Sequence, residues 1–198
     1  MGIPRSHPPT RLIAAIFSRY DAALDWAVER IGSAWGEVTD LGSRLEFTET
    51  KYYEQLMGTC LRKQLLCCRG DFDPARLVDC KLESNAWEEE YAQLCGAPEQ
   101  RPLNIDPGYV TSMKVVLAST KDRAHRIYLR DGIYAEECLF YKDRAWCGRP
   151  WTYPDYLRSE YHTFFSRVRM ELHRALTSAA HARAHMNSDD AATEGESL

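Results

Sequence analysis

Residues Asn104 to Tyr141 read NIDPGYVTSMKVVLASTKDRAHRIYLRDGIYAEECLFY, and the fold turns on how this stretch is parsed. Asp106-Pro107-Gly108-Tyr109 fits a type II turn, in which Pro at the second place presets φ and Gly at the third takes a positive φ. Val110 to Thr120 carries two periods at once. A helix aligns Lys114, Ala118 and Lys121, whereas a strand aligns Lys114, Val116, Ala118 and Thr120; the helical reading is preferred. Arg126 to Tyr141 predicts a β-hairpin, because two runs rich in Ile, Tyr, Leu and Phe flank Asp131-Gly132, a pair suited to the type I′ turn.

Closing that hairpin through a two-residue loop sets Arg130 opposite Ile133, Leu129 opposite Tyr134, Ile127 opposite Glu136 and Arg126 opposite Glu137. Opposed residues share a face. One face then carries Arg126, Tyr128, Arg130, Ala135 and Glu137, with Arg126 and Glu137 as a cross-strand ion pair. The other is mostly apolar, yet holds His125 and Glu136 as diagonal neighbours. An imidazole and a carboxylate so placed shift each other's proton affinity and suit general acid-base work, or else satisfy each other structurally near a sheet edge.

Upstream, RLIAAIFS from Arg11 is a short continuous apolar run of the kind shown by a central strand covered on both faces. Asp21 caps the helix expected next, whose Leu24, Ala27, Val28 and Ile31 recur at helical spacing, with Gly32 as its end. Val38 to Phe47 reads as a strand broken at Gly42, Lys51 to Met57 as a short helix stopped by Gly58, and Leu61 to Arg69 as a strand. Asp73-Pro74 starts a helix that runs to Gln93, since Asp accepts from free backbone N–H groups and Pro has no N–H to leave unpaired in the first turn. Its Glu88-Glu89-Glu90 run reads as a solvated face. Pro102 to Ile105 is expected as a further strand.

Downstream, Pro154 opens a helix whose Leu157, Tyr161, Phe164, Phe165, Val168, Leu172 and Leu176 trace one apolar stripe, with Arg158, Arg167 and Arg174 outside it. The order predicts an α+β fold: a ferredoxin-like β-α-β-β-α-β sandwich with an appended helix, β-hairpin and C-terminal helix. One domain spans residues 11–177, between a flexible N-terminus of residues 1–10 and a disordered tail of residues 178–198.

Composition narrows the function. A formal net charge of -4 argues against nucleic acid as the main partner, since that affinity needs many cations against phosphates. No run reaches the roughly 18 apolar residues that span a bilayer, and MGIPRSHPPT lacks a signal core; a cytoplasmic protein with no membrane partner is expected. Seven cysteines, an odd number without C-x-x-C spacing, argue against a disulfide framework or a zinc site. His181 and His185 stand at helical spacing in the tail and read as incidental. The phosphate-loop, dinucleotide-binding, serine-hydrolase and zinc-protease signatures are all missing.

The residues that remain sit on the opening stretch. Lys114, Lys121, Arg126 and Arg130 are candidates to converge on an anion, with Tyr109 or Tyr128 stacking on a ring. The expected ligand-binding set is Asn104, Asp106, Tyr109, Lys114, Lys121, Asp122, Arg126 and Tyr128, with His125 and Glu136 as a candidate catalytic pair and no metal ligands.

The same stretch, continued into PWTYPDY at Pro150, with KYYEQLMG at Lys51 as a weaker match, resembles the bacterial and archaeal family DUF4416, a domain of unknown function, over roughly residues 11–170. The resemblance implies no reaction. Some members are labelled GTP-binding proteins, which makes GTP one candidate anion among several. Three functions follow in order of preference: binding of a small anionic ligand, such as a nucleotide or phosphorylated metabolite, through Lys114, Lys121, His125 and Arg126; phosphoester hydrolysis or group transfer by His125 and Glu136; or protein docking through a sheet edge with exposed Trp146 and Trp151. No cofactor and no oligomeric state can be assigned from the residues.

Overall fold

A computed structural model describes residues 2–3 and 6–193, without the side chains of Leu176 and of residues 178–193. One mixed-order sheet runs through it. The chain passes through β1 (Arg11–Ser18), α1 (Asp21–Trp35), β2 (Val38–Leu41), β3 (Leu45–Glu46), α2 (Glu54–Met57), β4 (Arg62–Cys68), α3 (Leu77–Leu94), β5 (Asn104–Val110), β6 (Lys114–Ser119), β7 (Ile127–Arg130), β8 (Ile133–Lys142), β9 (Ala145–Gly148) and α4 (Ser159–Thr193). Single 3-10 turns at Pro74–Arg76 and Pro154–Leu157 lead into α3 and toward α4. The strand order is β2-β4-β1-β5-β6-β8-β7, with β3 beside β4 and β9 beside β8, and each pairing is antiparallel.

Alternation along the strands builds two cores. Leu12, Ala14 and Ile16 of β1, with Leu66 and Cys68 of β4, pack against α1 and α3 through Leu24, Ala27, Ile31, Cys80 and Trp87. Ile13 and Ala15, with Leu65 and Cys67, turn the other way and meet Phe164, Phe165, Val168 and Leu172 of α4. The sheet is therefore covered on both faces, as the unbroken apolar run of β1 requires.

Several boundaries differ from the sequence reading. Asp21 is not a cap: it lies inside the first turn of α1 and pairs with Arg44 and Arg62. The helix passes Gly32 and ends at Gly36, whose φ of 118° suits glycine. Val110 to Thr120 is not a helix: Val110 ends β5 and Lys114 to Ser119 form β6, whose Val115, Val116, Leu117 and Ala118 are all buried between covered faces. The expected turn at Pro107-Gly108 is continuous strand: both residues pair with β1, opposite Ala14 and Ile13.

The Asp131-Gly132 turn has φ of 53° and 75°, as type I′ demands. A bulge between Tyr128 and Arg130, however, sets Tyr128 opposite Tyr134 and Ile127 opposite Ala135. The shift gives Arg126 to Glu136 and leaves Glu137 to Arg149, so the expected Arg126–Glu137 pair does not form. Strand β9 was not foreseen, and it buries Trp146 against Tyr141 and Phe165. The backbone of α4 is helical through Thr193. Residues 1, 4, 5 and 194–198, parts of the expected mobile ends, lie outside the described residues, as do the side chains of His181 and His185.

Candidate functional site

The site begins where two central strands part. Strands β5 and β6 pair at three positions only, Gly108 with Leu117, Tyr109 with Val116 and Val110 with Val115. Before Gly108, β5 has no strand on that side, and α3 supplies the missing partners. Glu88 Oε1 accepts from the Ile105 N–H at 2.7 Å, and Lys81 Nζ donates to the Ile105 carbonyl at 3.0 Å. Two residues further, Pro107 points its nitrogen to the same side, where the lack of an N–H costs nothing. Gly108 is needed for closeness, not for turning: a Cβ there would lie 2.5 Å from Leu117 Cδ2 and still nearer the Val116 carbonyl.

The wedge between the two strands widens into a cavity of about 490 Å³. Its floor is formed by Phe17, Lys63, Asp106, Asn104, Asp155 and Tyr156. One lip is the segment after β6, with Ser119, Thr120, Lys121 and Arg123; the other is the segment before α2, with Glu49, Thr50, Tyr52 and Tyr53. Arg101, Lys81 and Asn85 close a third side, and Arg126 and Tyr153 complete the wall. Six of the lining residues are basic (Lys63, Lys81, Arg101, Lys121, Arg123, Arg126) and three acidic (Glu49, Asp106, Asp155).

Each deep cation has a carboxylate. Lys63 Nζ lies 2.7 Å from Asp155 Oδ2, and Lys81 Nζ 3.0 Å from Asp106 Oδ1. Asn104 Nδ2 donates to Asp106 Oδ2 at 2.8 Å, and Arg101 reaches Glu88 at 2.6 Å. Burial pulls the Asp106 carboxyl upward, but Lys81, with Lys63 and Arg101 behind it, outweighs burial and holds the group below its usual range. Glu88 moves the other way, raised by burial despite Lys81 and Arg101. At the mouth the pattern changes: Lys121 and Arg123 have no carboxylate partner among the described residues. Lys121 Nζ instead rests 4.3 Å from the centre of the Tyr52 ring, and its hydrogen bond and charge lower the Tyr52 phenol.

The structure brings four of the expected ligand residues to this cavity: Asn104, Asp106, Lys121 and Arg126. Arg126 is fully engaged, donating to Glu136 Oε2 at 2.6 Å, Ser119 Oγ at 2.7 Å, the Lys121 carbonyl at 2.9 Å and the Tyr153 hydroxyl at 2.7 Å. Tyr109 points to the opposite face of the sheet, toward Phe72. Lys114 begins β6 at the far end, opposite Phe140. Asp122 is exposed and not among the lining residues, and Tyr128 lies on edge strand β7 against Tyr134. His125 Nε2 stands 3.5 Å from Glu136 Oε2, so that pair exists, but neither residue lines the cavity; His125 stacks on Trp151, and Glu136 is 1% exposed. Trp151 is exposed but Trp146 is buried, which removes it from any docking surface.

Sequence reasoning missed Lys63, Lys81, Arg101, Arg123, Asp155 and the Tyr52-Tyr53 lip. A signal existed for the two lysines. Lys63 alternates with Leu65 and Cys67 on a core face of β4, and Lys81 lies four residues after Leu77 on the buried side of α3; a charge in such a place needs a partner. Glu88 likewise faces inward, away from the solvated run assumed for it. Among the described residues there is no group of three or more His, Cys, Asp or Glu placed to hold a metal ion, and no helix long and apolar enough to cross a membrane.

Residues 8–172 match the family model described as a domain of unknown function, DUF4416. No curated protein and no solved structure matches the chain.

Proposed function

The chain belongs to the DUF4416 family, and we propose, from the site itself, that it binds a small phosphorylated ligand, a nucleotide or another phosphorylated metabolite, in the cavity between β5 and β6. The observation that carries this reading is the contrast between floor and mouth. The buried cations are neutralised by carboxylates, whereas Lys121 and Arg123 line the same cavity with none among the described residues. Two uncompensated cations beside Thr120 and Thr50 hydroxyls suit a phosphate, and the Tyr52 and Tyr53 rings opposite suit a planar group. GTP is one candidate among such anions.

A thermal-shift series with nucleotides and sugar phosphates tests the reading. A ligand present at a hundred times its Kd stabilises by about 2.7 kcal/mol, which for a domain of this size raises Tm by roughly 5–10 °C. The paired variant Lys121→Ala with Arg123→Ala is expected to keep the unliganded Tm and lose the shift. No stabilisation by any phosphorylated compound overturns the proposal.

An enzymatic reading that uses His125 and Glu136 has those groups behind Arg126 rather than in the cavity, so it is the weaker of the two. In support of a ferredoxin-like first half stand the order β2-β4-β1-β5 and the packing of α1 and α3 on one face. A reducing cytoplasm suits the seven free thiols.

A further inference from the structure

Lys63 differs from every other cation in the cavity. It is 6% exposed and faces the cavity from β4, beside β1. Its single hydrogen bond among the described residues goes to Asp155 Oδ2, at 2.7 Å. An ammonium has three N–H donors, so two are left facing rings: Nζ lies 4.7 Å from the centre of Tyr156, 4.8 Å from Phe47 and 5.7 Å from Phe17. Lys81, by contrast, is spent on bridging, with the Ile105 carbonyl and Asp106 both at 3.0 Å.

A buried lysine-aspartate pair is a weak device for stability, because desolvation of both charges offsets their attraction. An amine that lines a cleft with a carboxylate base in hydrogen-bond reach has the arrangement of an activated nucleophile. Resting on the phosphate-binding reading above, we propose that Lys63 forms an imine with the carbonyl of a phosphorylated aldehyde or ketone, whose phosphate is held at the mouth by Lys121 and Arg123.

The step balances within the site. Asp155 takes one proton from the Lys63 ammonium, and the neutral Nζ attacks the carbonyl carbon to form a carbinolamine. Asp155 returns that proton to the carbinolamine hydroxyl, which leaves as water while the C=N bond forms. Of the three hydrogens on the starting ammonium, two depart with the oxygen and one stays on the iminium nitrogen. The iminium keeps the positive charge at the same atom, so the carboxylate and the three rings that stabilise the ammonium stabilise the product as well.

Pyridoxal 5′-phosphate at equimolar concentration, followed by borohydride reduction and peptide mass spectrometry, reads this directly on the full chain. The expected result is a reduced adduct on Lys63 ahead of any exposed lysine. Unphosphorylated pyridoxal is expected to label it at least tenfold less, and the Lys121→Ala, Arg123→Ala variant to lose the preference for the phosphorylated probe. Lys63→Arg, which keeps the charge for Asp155, is expected to remove the adduct while retaining the fold by circular dichroism. Labelling spread over exposed lysines with Lys63 unmodified overturns the proposal. If phosphorylated compounds stabilise the protein in that case, only the imine inference falls; if they do not, the binding reading falls with it.

Discussion

Gly108 lacks a side chain at the one place where β5 and β6 come close enough for a Cβ to collide with the Val116 carbonyl and Leu117. Gly108→Ala is therefore expected to cost about 1–3 kcal/mol, the usual range for overpacking, read as a lower urea midpoint with an unchanged m-value. The dipeptide Pro107-Gly108 was legible as special but not as what it is. A turn and a strand beside a gap both call for a residue without an N–H followed by one without a Cβ, and local sequence does not separate them. Lys121 was legible as a candidate because it follows closely on the apolar run Val115 to Ala118. Arg123, two residues on, looked like any solvated arginine, and only its place at the cavity mouth distinguishes it.

At the scale of elements, α3 acts as a substitute strand for β5. Glu88 takes the Ile105 N–H and Arg101 together, so Glu88→Ala leaves a buried donor unpaired. The expected loss is about 1–3 kcal/mol for that group, with faster hydrogen exchange at the Ile105 amide as the specific readout. The helix itself was readable from Asp73-Pro74, where the Asp73 carboxylate accepts from the Ala75 N–H at 2.9 Å. The inward turn of Glu88 was not, because three consecutive glutamates mask which one faces the sheet. The hairpin was readable from Asp131-Gly132, yet the bulge at Leu129 moved the register by one residue and so exchanged the partners of Arg126. Such bulges leave no consistent mark in composition. Helical periodicity in Val110 to Thr120 lost to tertiary context, since a strand buried on both faces carries no alternation to announce it.

Across the whole molecule, the sheet is held between α1 with α3 on one side and α4 on the other. Phe165, fully buried against Tyr156 and Trp146, joins α4 to the sheet and to the turn that carries Asp155. Phe165→Ala is expected to cost about 3–5 kcal/mol in chemical denaturation. Acid should act on the whole fold through Asp106. Its folded pKa lies below the ordinary 3.8, so its stabilising contribution is complete above that value and is lost as pH falls through it toward the folded value. Glu88, raised by burial above its ordinary 4.5, contributes in the opposite sense: fully below 4.5, and less as pH rises through its folded value. Urea midpoints between about pH 7 and pH 3 are expected to fall at the acid end for the wild type, and to fall less steeply for Asp106→Asn.

The short seam between β5 and β6 has a mechanical meaning. Only three backbone rungs join the half of the sheet bearing Lys63 and Asp106 to the half bearing Lys121 and Arg126. A guest seated in the wedge touches both leaves of this opening book and acts as its clasp. Occupancy should then be felt as stiffness beyond the point of contact, with slowed amide exchange along β8 as well as along β5 and β6.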